Sequence, residues 1–148
     1  MKILLTAINA KYIHSNLAVY SLKAYAEANL PENLAEKLEI SIAEYTINQQ
    51  TDQILQDIYK RKPDMLCLSC YIWNISYIEE IAREIRKVMP NLAIWLGGPE
   101  VSYDARKVLE RLPEVDGVMR GEGEETFCEL LGKWASDLSF DDIEGITY

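Results

Sequence analysis

The sequence is poor in the residues from which small reactive sites are usually built. It has one histidine and three cysteines in 148 residues. An odd cysteine count, with Cys67 and Cys70 in one apolar run and Cys128 in a helical pattern, excludes a disulfide framework and fits a reducing, cytoplasmic setting. Cys67 and Cys70 stand three apart on an expected strand, so their side chains point to opposite faces and cannot chelate a metal together. All three cysteines read as small apolar packing residues. Bases are scarce as well: 15 against 24 acids, a net charge of −9. That balance argues against a nucleic-acid surface and against adhesion to anionic lipid. No apolar stretch approaches the ~18 residues of a membrane span. The run Ile3–Ile8 behind Lys2 is too short for a secretory signal, and Asn9 and Lys11 follow at once. Acids are missing from the first 26 residues, the first being Glu27.

What is present is ordinary globular composition, 49% hydrophobic and 26% charged, in a length that suits one domain with a real core. Short apolar runs alternate with amphipathic stretches. Lys2–Ile8, Met65–Cys70 and Leu92–Leu96 are near-continuously apolar, as strands covered on both faces should be. Leu38–Tyr45 alternates apolar and polar and suits a sheet edge; Gly117–Met119 is a short fifth strand. Helices are predicted from Ser15, as N-cap, to about Asn29, with Leu17, Tyr20, Ala24 and Ala28 on one face; from Thr51, with Ile54, Leu55, Ile58 and Tyr59 inward; and from a Ser76/Glu79 capping box, with Ile78, Ile81, Ala82, Ile85 and Met89 inward. Two more follow near Ser102–Leu112 and from Glu122–Glu125, the last burying Phe127, Leu130, Leu131 and Trp134. The expected fold is α/β, doubly wound and flavodoxin-like (Rossmann-like): a five-stranded parallel sheet of order 2-1-3-4-5 with helices on both faces.

In that topology ligands bind beyond the carboxyl ends of the strands, near the switch point between the first and third. The loops that meet there are Asn9–Asn16, with the single histidine, His14; Ser69–Asn74, with Tyr71 and Trp73; Gly97-Gly98-Pro99-Glu100; and Arg120-Gly121-Glu122-Gly123. The pair Gly97-Gly98 lets backbone come very close to a ligand. Together they predict a broad, mostly neutral, apolar-floored cleft, suited to a large flat ligand better than to a small anion. A phosphoacceptor receiver is excluded, because Asn9 and Ser69 stand where it needs acids. A dinucleotide fingerprint after the first strand is absent.

The residues Asn9-Ala10-Lys11-Tyr12-Ile13-His14-Ser15-Asn16-Leu17-Ala18, Cys70-Tyr71-Ile72-Trp73-Asn74, Leu96-Gly97-Gly98-Pro99-Glu100-Val101-Ser102 and Arg120-Gly121-Glu122-Gly123-Glu124 occur in order, each at a strand end. In this the chain resembles the N-terminal cobalamin (vitamin B12)-binding domain of cobalamin-dependent radical SAM proteins, over essentially its whole length. The resemblance implies that Ser69 hydrogen-bonds the displaced dimethylbenzimidazole tail of cobalamin and that Gly97-Gly98 lets the nucleotide tail pass. Of the family's Asp-x-His-x-x-Gly loop, which gives cobalt its lower axial ligand, His14 matches, whereas Tyr12 and Leu17 stand at the Asp and Gly positions. His14 therefore has three readings: surface residue, cofactor-face residue or cobalt ligand. The cofactor-binding candidates are Asn9, Tyr12, His14, Ser69, Tyr71, Trp73, Gly97, Gly98, Pro99, Gly121, Glu122 and Gly123. No catalytic acid, base or nucleophile set is visible.

Cysteines at 67, 70 and 128 cannot supply the Cys-x-x-x-Cys-x-x-Cys of a radical SAM cluster. S-adenosylmethionine and an iron-sulfur cluster are therefore expected only in a missing downstream domain. Residues 1–135 are expected to be the cobalamin-binding-like domain, and 136–148 an exit loop and the start of a connection to that radical SAM domain. The expected function is to bind cobalamin at the carboxyl edge and present it to the downstream domain for methyl transfer or radical chemistry. The alternative is a degenerate relative that acts as an interaction or packing module without cofactor; a nucleotide or flavin binder is a third reading. No nucleic acid or membrane partner is expected.

Overall fold

Residues 2–9 carry a near-unbroken apolar run, and a strand with such a run is stable only between two layers. In the computed structural model, which describes Met1–Tyr148, this run is β1 (Lys2–Asn9), an interior strand. The order continues with α1 (Leu17–Asn29), a one-turn α2 (Glu32–Ala35), β2 (Glu39–Thr46), α3 (Thr51–Arg61), β3 (Met65–Ser69), α4 (Ile75–Val88), β4 (Ala93–Gly97), a one-turn α5 (Pro99–Ser102), α6 (Ala105–Arg111), β5 (Gly117–Met119), α7 (Glu124–Ala135) and β6 (Ile146–Thr147). The sheet order is β2-β1-β3-β4-β5-β6. The first five strands pair in parallel, with Leu5 beside Ile42 and Cys67, and Cys67 beside Trp95.

The alternation of side chains along the strands divides the core in two. Leu4, Ile8, Leu66, Leu68, Ile94 and Leu96 pack against Ile54 and Ile58 of α3 and Ile78, Ile81, Ala82 and Ile85 of α4. Ile3, Leu5, Met65, Cys67 and Trp95 pack against Val19 and Ala26 of α1 and Phe127, Leu130 and Leu131 of α7. Cys67 and Cys70 are buried in opposite layers, and burial pushes the Cys67 thiol up to about 12 and Cys70 higher still, so both are neutral packing groups.

Several details differ from the sequence-based expectation. A sixth strand extends the sheet: β6 pairs antiparallel with β5, Met119 opposite Ile146. Two residues carry no periodicity, and the pairing depends on a turn at Gly145 (φ +84°) and a bond from the Arg120 N–H to the Gly145 carbonyl, 2.7 Å. Parts of residues 136–148 pack on the core: Ile143 and Ile146 are buried, and Phe140 meets the Trp95 ring edge-on. Helix α1 is capped by Asn16 rather than Ser15. It buries Val19 and Ala26 and leaves Leu17 80% exposed and Tyr20 exposed. Because α1 is apolar nearly all round, periodicity does not select its inward face. The Ser76/Glu79 capping box does not form; α4 begins at Ile75 with Asn74 as the cap residue, and Glu79 pairs with Arg83 and Arg111 instead. Tyr59 is exposed rather than inward.

On the edge strand, the buried Tyr45 donates its hydroxyl to Asp57 Oδ2 at 2.6 Å, and Arg61 Nε donates to the same oxygen at 2.8 Å. The bond from Tyr45, and then Arg61, hold the Asp57 carboxyl below the usual range against the opposing effect of burial. A carboxyl whose folded pKa is depressed contributes stability above its unfolded value, about pH 4, and loses it as pH falls through the folded value. Asp57→Asn is thus expected to reduce the loss of stability below about pH 4; urea melts from neutral to acid pH measure it, and an unchanged slope would refute the assignment.

Candidate functional site

At the carboxyl edge, the connections from β1 and β3 leave to opposite layers, and side chains tie the two strand ends together. Asn74 is fully buried. Its Oδ1 accepts from the Tyr71 N–H at 2.8 Å, and its Nδ2 donates to the carbonyls of Ile8 (3.1 Å) and Ser69 (2.9 Å). It thereby closes the β3–α4 loop and ties the ends of β1 and β3. Trp73 donates its indole N–H to the Ile8 carbonyl at 3.3 Å and stacks on Tyr71, centroids 4.5 Å apart.

The next loop depends on glycine. Gly98 has φ +107°, and a Cβ there would lie 2.5 Å from the Cys70 carbonyl oxygen. The β3 and β4 loops are in backbone contact at this point, with Cys70 N–H donating to the Gly97 carbonyl at 2.7 Å. Ser102 Oγ donates to the Gly98 carbonyl (2.8 Å) and accepts from the Gly121 N–H (3.3 Å), which joins the β4 and β5 loops.

These loops, α1 and the start of α7 enclose a cleft of about 610 Å³, within the range of small-molecule sites. Its apolar lining comes from Leu5, Cys67, Leu68 and Met119 of the sheet and Val19 and Leu22 of α1. Ser69, Ser102, Glu122 and Glu124 are polar lining residues, and no lysine or arginine lines it. Two carboxylates without a cation make it unsuited to a small free anion. The loops at the carboxyl edge and the first turn of α1 carry exposed apolar side chains: Tyr12, Ile13, Leu17, Ile72 and, in the cleft lining, Tyr103. Clustered apolar exposure of this kind marks a surface that a ligand or partner covers.

Of the residues singled out in the sequence, Ser69, Tyr71, Gly97, Gly98, Pro99, Gly121, Glu122 and Gly123 line the cleft. Four do not. Asn9 is buried and bonded to Glu44. Tyr12 and His14 are exposed on the β1–α1 loop, where His14 N–H bonds the Lys11 carbonyl. Trp73 lies behind Tyr71. The α1 wall carries no sequence signal, because the helix's inward face is not set by periodicity. Glu44, at the end of β2, is a further residue of this edge that no local pattern marks.

A doubly wound sheet with a largely apolar cleft at its carboxyl edge, walled by α1 and the start of α7, defines a Rossmann-like ligand-binding domain. The B12 binding domain family model matches residues 3–131, and the chain belongs to that family. It is 40% identical over 76 residues to the cobalamin-dependent radical SAM methyltransferase TokK of Streptomyces tokunonensis, covering 51% of this chain and 11% of that protein. It is 41% identical over 69 residues to 2-(S-pantetheinyl)-carbapenam-3-carboxylate methyltransferase of Streptantibioticus cattleyicolor, covering 47% of this chain and 10% of that protein. The chain thus matches only about a tenth of the length of these relatives. Among solved structures, the cobalamin-dependent S-adenosylmethionine radical enzyme OxsB superposes with TM-score 0.74 at 21% identity, over 99% of this chain and 20% of the other. A cobalamin-binding protein of Desulfitobacterium hafniense superposes with TM-score 0.61 at 14% identity, over 88% of this chain and 58% of the other. No helix is long and apolar enough to cross a membrane.

Proposed function

We propose that this chain binds cobalamin with its nucleotide tail in the cleft and the corrin ring over the apolar mouth, and presents it to a radical SAM domain of the full-length, cytoplasmic protein. The observation that carries this reading is the cleft itself: largely apolar, with a backbone contact at Gly98 in its wall that no side chain would permit. The residues present fit the group. Ser69 offers a hydroxyl at the wall, Gly98 lets the β3 and β4 loops meet there, and Leu5, Val19, Leu22 and Met119 exclude water from an aromatic base. Tyr12, Ile13, Leu17, Ile72 and Tyr103 supply apolar surface for a flat macrocycle. When bound, cobalamin supplies a cobalt centre that carries a methyl group or assists a radical step. The chain's own part is binding and orientation. S-adenosylmethionine and an iron-sulfur cluster belong, in this reading, to the other domain, and residues 136–148 lead toward it.

The test is to mix the purified chain with hydroxocobalamin and pass it through gel filtration. A red, retained complex with a shifted visible spectrum is expected. A folded chain that retains nothing overturns the reading in favour of a packing module. His14, exposed beside the mouth, is the candidate lower ligand. If it ligates cobalt, His14→Ala converts a His-on spectrum to a base-off one; identical spectra would refute ligation.

A further inference from the structure

Glu44, at the end of the edge strand β2, does not line the cleft. Three donors converge on it nonetheless. Its Oε1 accepts from Asn9 Nδ2 at 3.0 Å and from the Asn16 backbone N–H at 2.9 Å, and its Oε2 accepts from the Tyr20 hydroxyl at 2.7 Å. One carboxylate thus ties the end of β1, the cap residue of α1 and the first turns of α1 to β2. Burial alone would raise its pKa, but the bonds from Tyr20, Asn16 and Asn9 outweigh that and hold it below the ordinary glutamate value. It is therefore ionised at neutral pH, and bonds to an ionised acceptor are the strong ones.

Asn16 passes the constraint to the cleft. Its Oδ1 accepts from the Ala18 N–H at 3.0 Å and so caps α1, while its Nδ2 donates to Ser69 Oγ at 3.0 Å. A serine hydroxyl has one hydrogen to donate. With Oγ accepting from Asn16, that hydrogen is directed elsewhere, and Ser69 lines the cleft.

We propose that Glu44 is a positioning residue for the tail site: acting through Asn16, it sets the Ser69 hydroxyl as a donor to an acceptor atom on the base of the bound tail. This inference rests on the reading of the cleft as the tail site. A carboxylate that only stabilised the fold would affect every corrin ligand alike. One that acts through Ser69 affects only ligands that carry the nucleotide tail.

The experiment compares dissociation constants of the 148-residue chain for hydroxocobalamin and for cobinamide, the corrin without the nucleotide tail. Wild type is expected to favour hydroxocobalamin. Glu44→Ala should shrink that preference about five- to tenfold, the size of one hydrogen bond to ligand, with cobinamide binding unchanged. Glu44→Gln keeps an acceptor for Asn9 and Asn16 and should restore the preference. Ser69→Ala should show the same loss as Glu44→Ala, and the double variant should lose no more than either alone. Equal weakening of both ligands, or additive losses in the double variant, would overturn the positioning role. If Glu44→Ala does not fold, Asn16→Ser carries the test: it keeps a capping oxygen but is too short to reach Ser69. A folded wild type that binds neither ligand overturns the reading of the cleft itself. Equal binding of both ligands leaves corrin binding standing and overturns the tail assignment together with this inference.

Discussion

Gly98→Ala is expected to cost about 2–4 kcal/mol of stability and to abolish retention of hydroxocobalamin. Two costs add at this position. The backbone is left-handed, φ +107°, where an L side chain is strained. The added Cβ would also lie 2.5 Å from the Cys70 carbonyl oxygen and 3.0 Å from the Cys70 nitrogen. Those are main-chain atoms of the β3–α4 loop, held by the bond from Cys70 N–H to the Gly97 carbonyl, so neither can rotate away as a flexible side chain would. The β4 loop must move outward, and with it the Ser102 link to Gly121. The control is Gly121→Ala. Gly121 also has a left-handed backbone, φ +72°, but a Cβ there meets nothing within 4 Å. It should lose only about 1 kcal/mol. Urea unfolding of the two variants separates strain from collision; equal losses would show that the contact at Gly98 yields.

Asn74→Ala is expected to cost about 3–4 kcal/mol, because removing the amide leaves the Tyr71 N–H and the Ile8 and Ser69 carbonyls without this partner at a fully buried position. The loss should reach the ligand, since Ser69 and Tyr71 line the cleft. Asn74→Asp sharpens the test through its pH dependence. The aspartate would keep an acceptor for Tyr71 but place its other oxygen against two carbonyls. Its neutral form, which can donate, is then favoured and its folded pKa raised. The variant's stability relative to wild type should therefore fall as pH rises above about 4 toward that folded value. A relative stability independent of pH would show that Asn74 does not carry these bonds.

Legibility in the sequence varied by residue for physical reasons. The stripe Ile78, Ile81, Ala82, Ile85 on α4 is sharply periodic, with charges on the opposite face, and it is buried as read. On α1, Leu17, Val19, Tyr20, Leu22 and Ala26 surround the axis, so the inward face depends on what the helix lies against. Gly97-Gly98 was legible as a place of close approach, although not that its neighbour would be Cys70. Glu44 carried no local signal, because its donors come from residues 9, 16 and 20, joined to it only through the β1–β2 pairing.

By itself, then, the sequence determined the alternation of strand and helix, the order of the first five strands and the sheet edge at which a site must lie. Those follow from local periodicity and the handedness of parallel crossovers, which need no knowledge of distant contacts. Asn9 and Ser69, standing where a phosphoacceptor site needs acids, excluded that chemistry. Only the tertiary structure decided which side of α1 faces inward, that β6 returns antiparallel to β5, and that Glu44, Asn16 and Ser69 form one hydrogen-bonded line. Each of these depends on groups far apart in the chain, brought together because buried polar atoms must find partners and apolar faces must find cover.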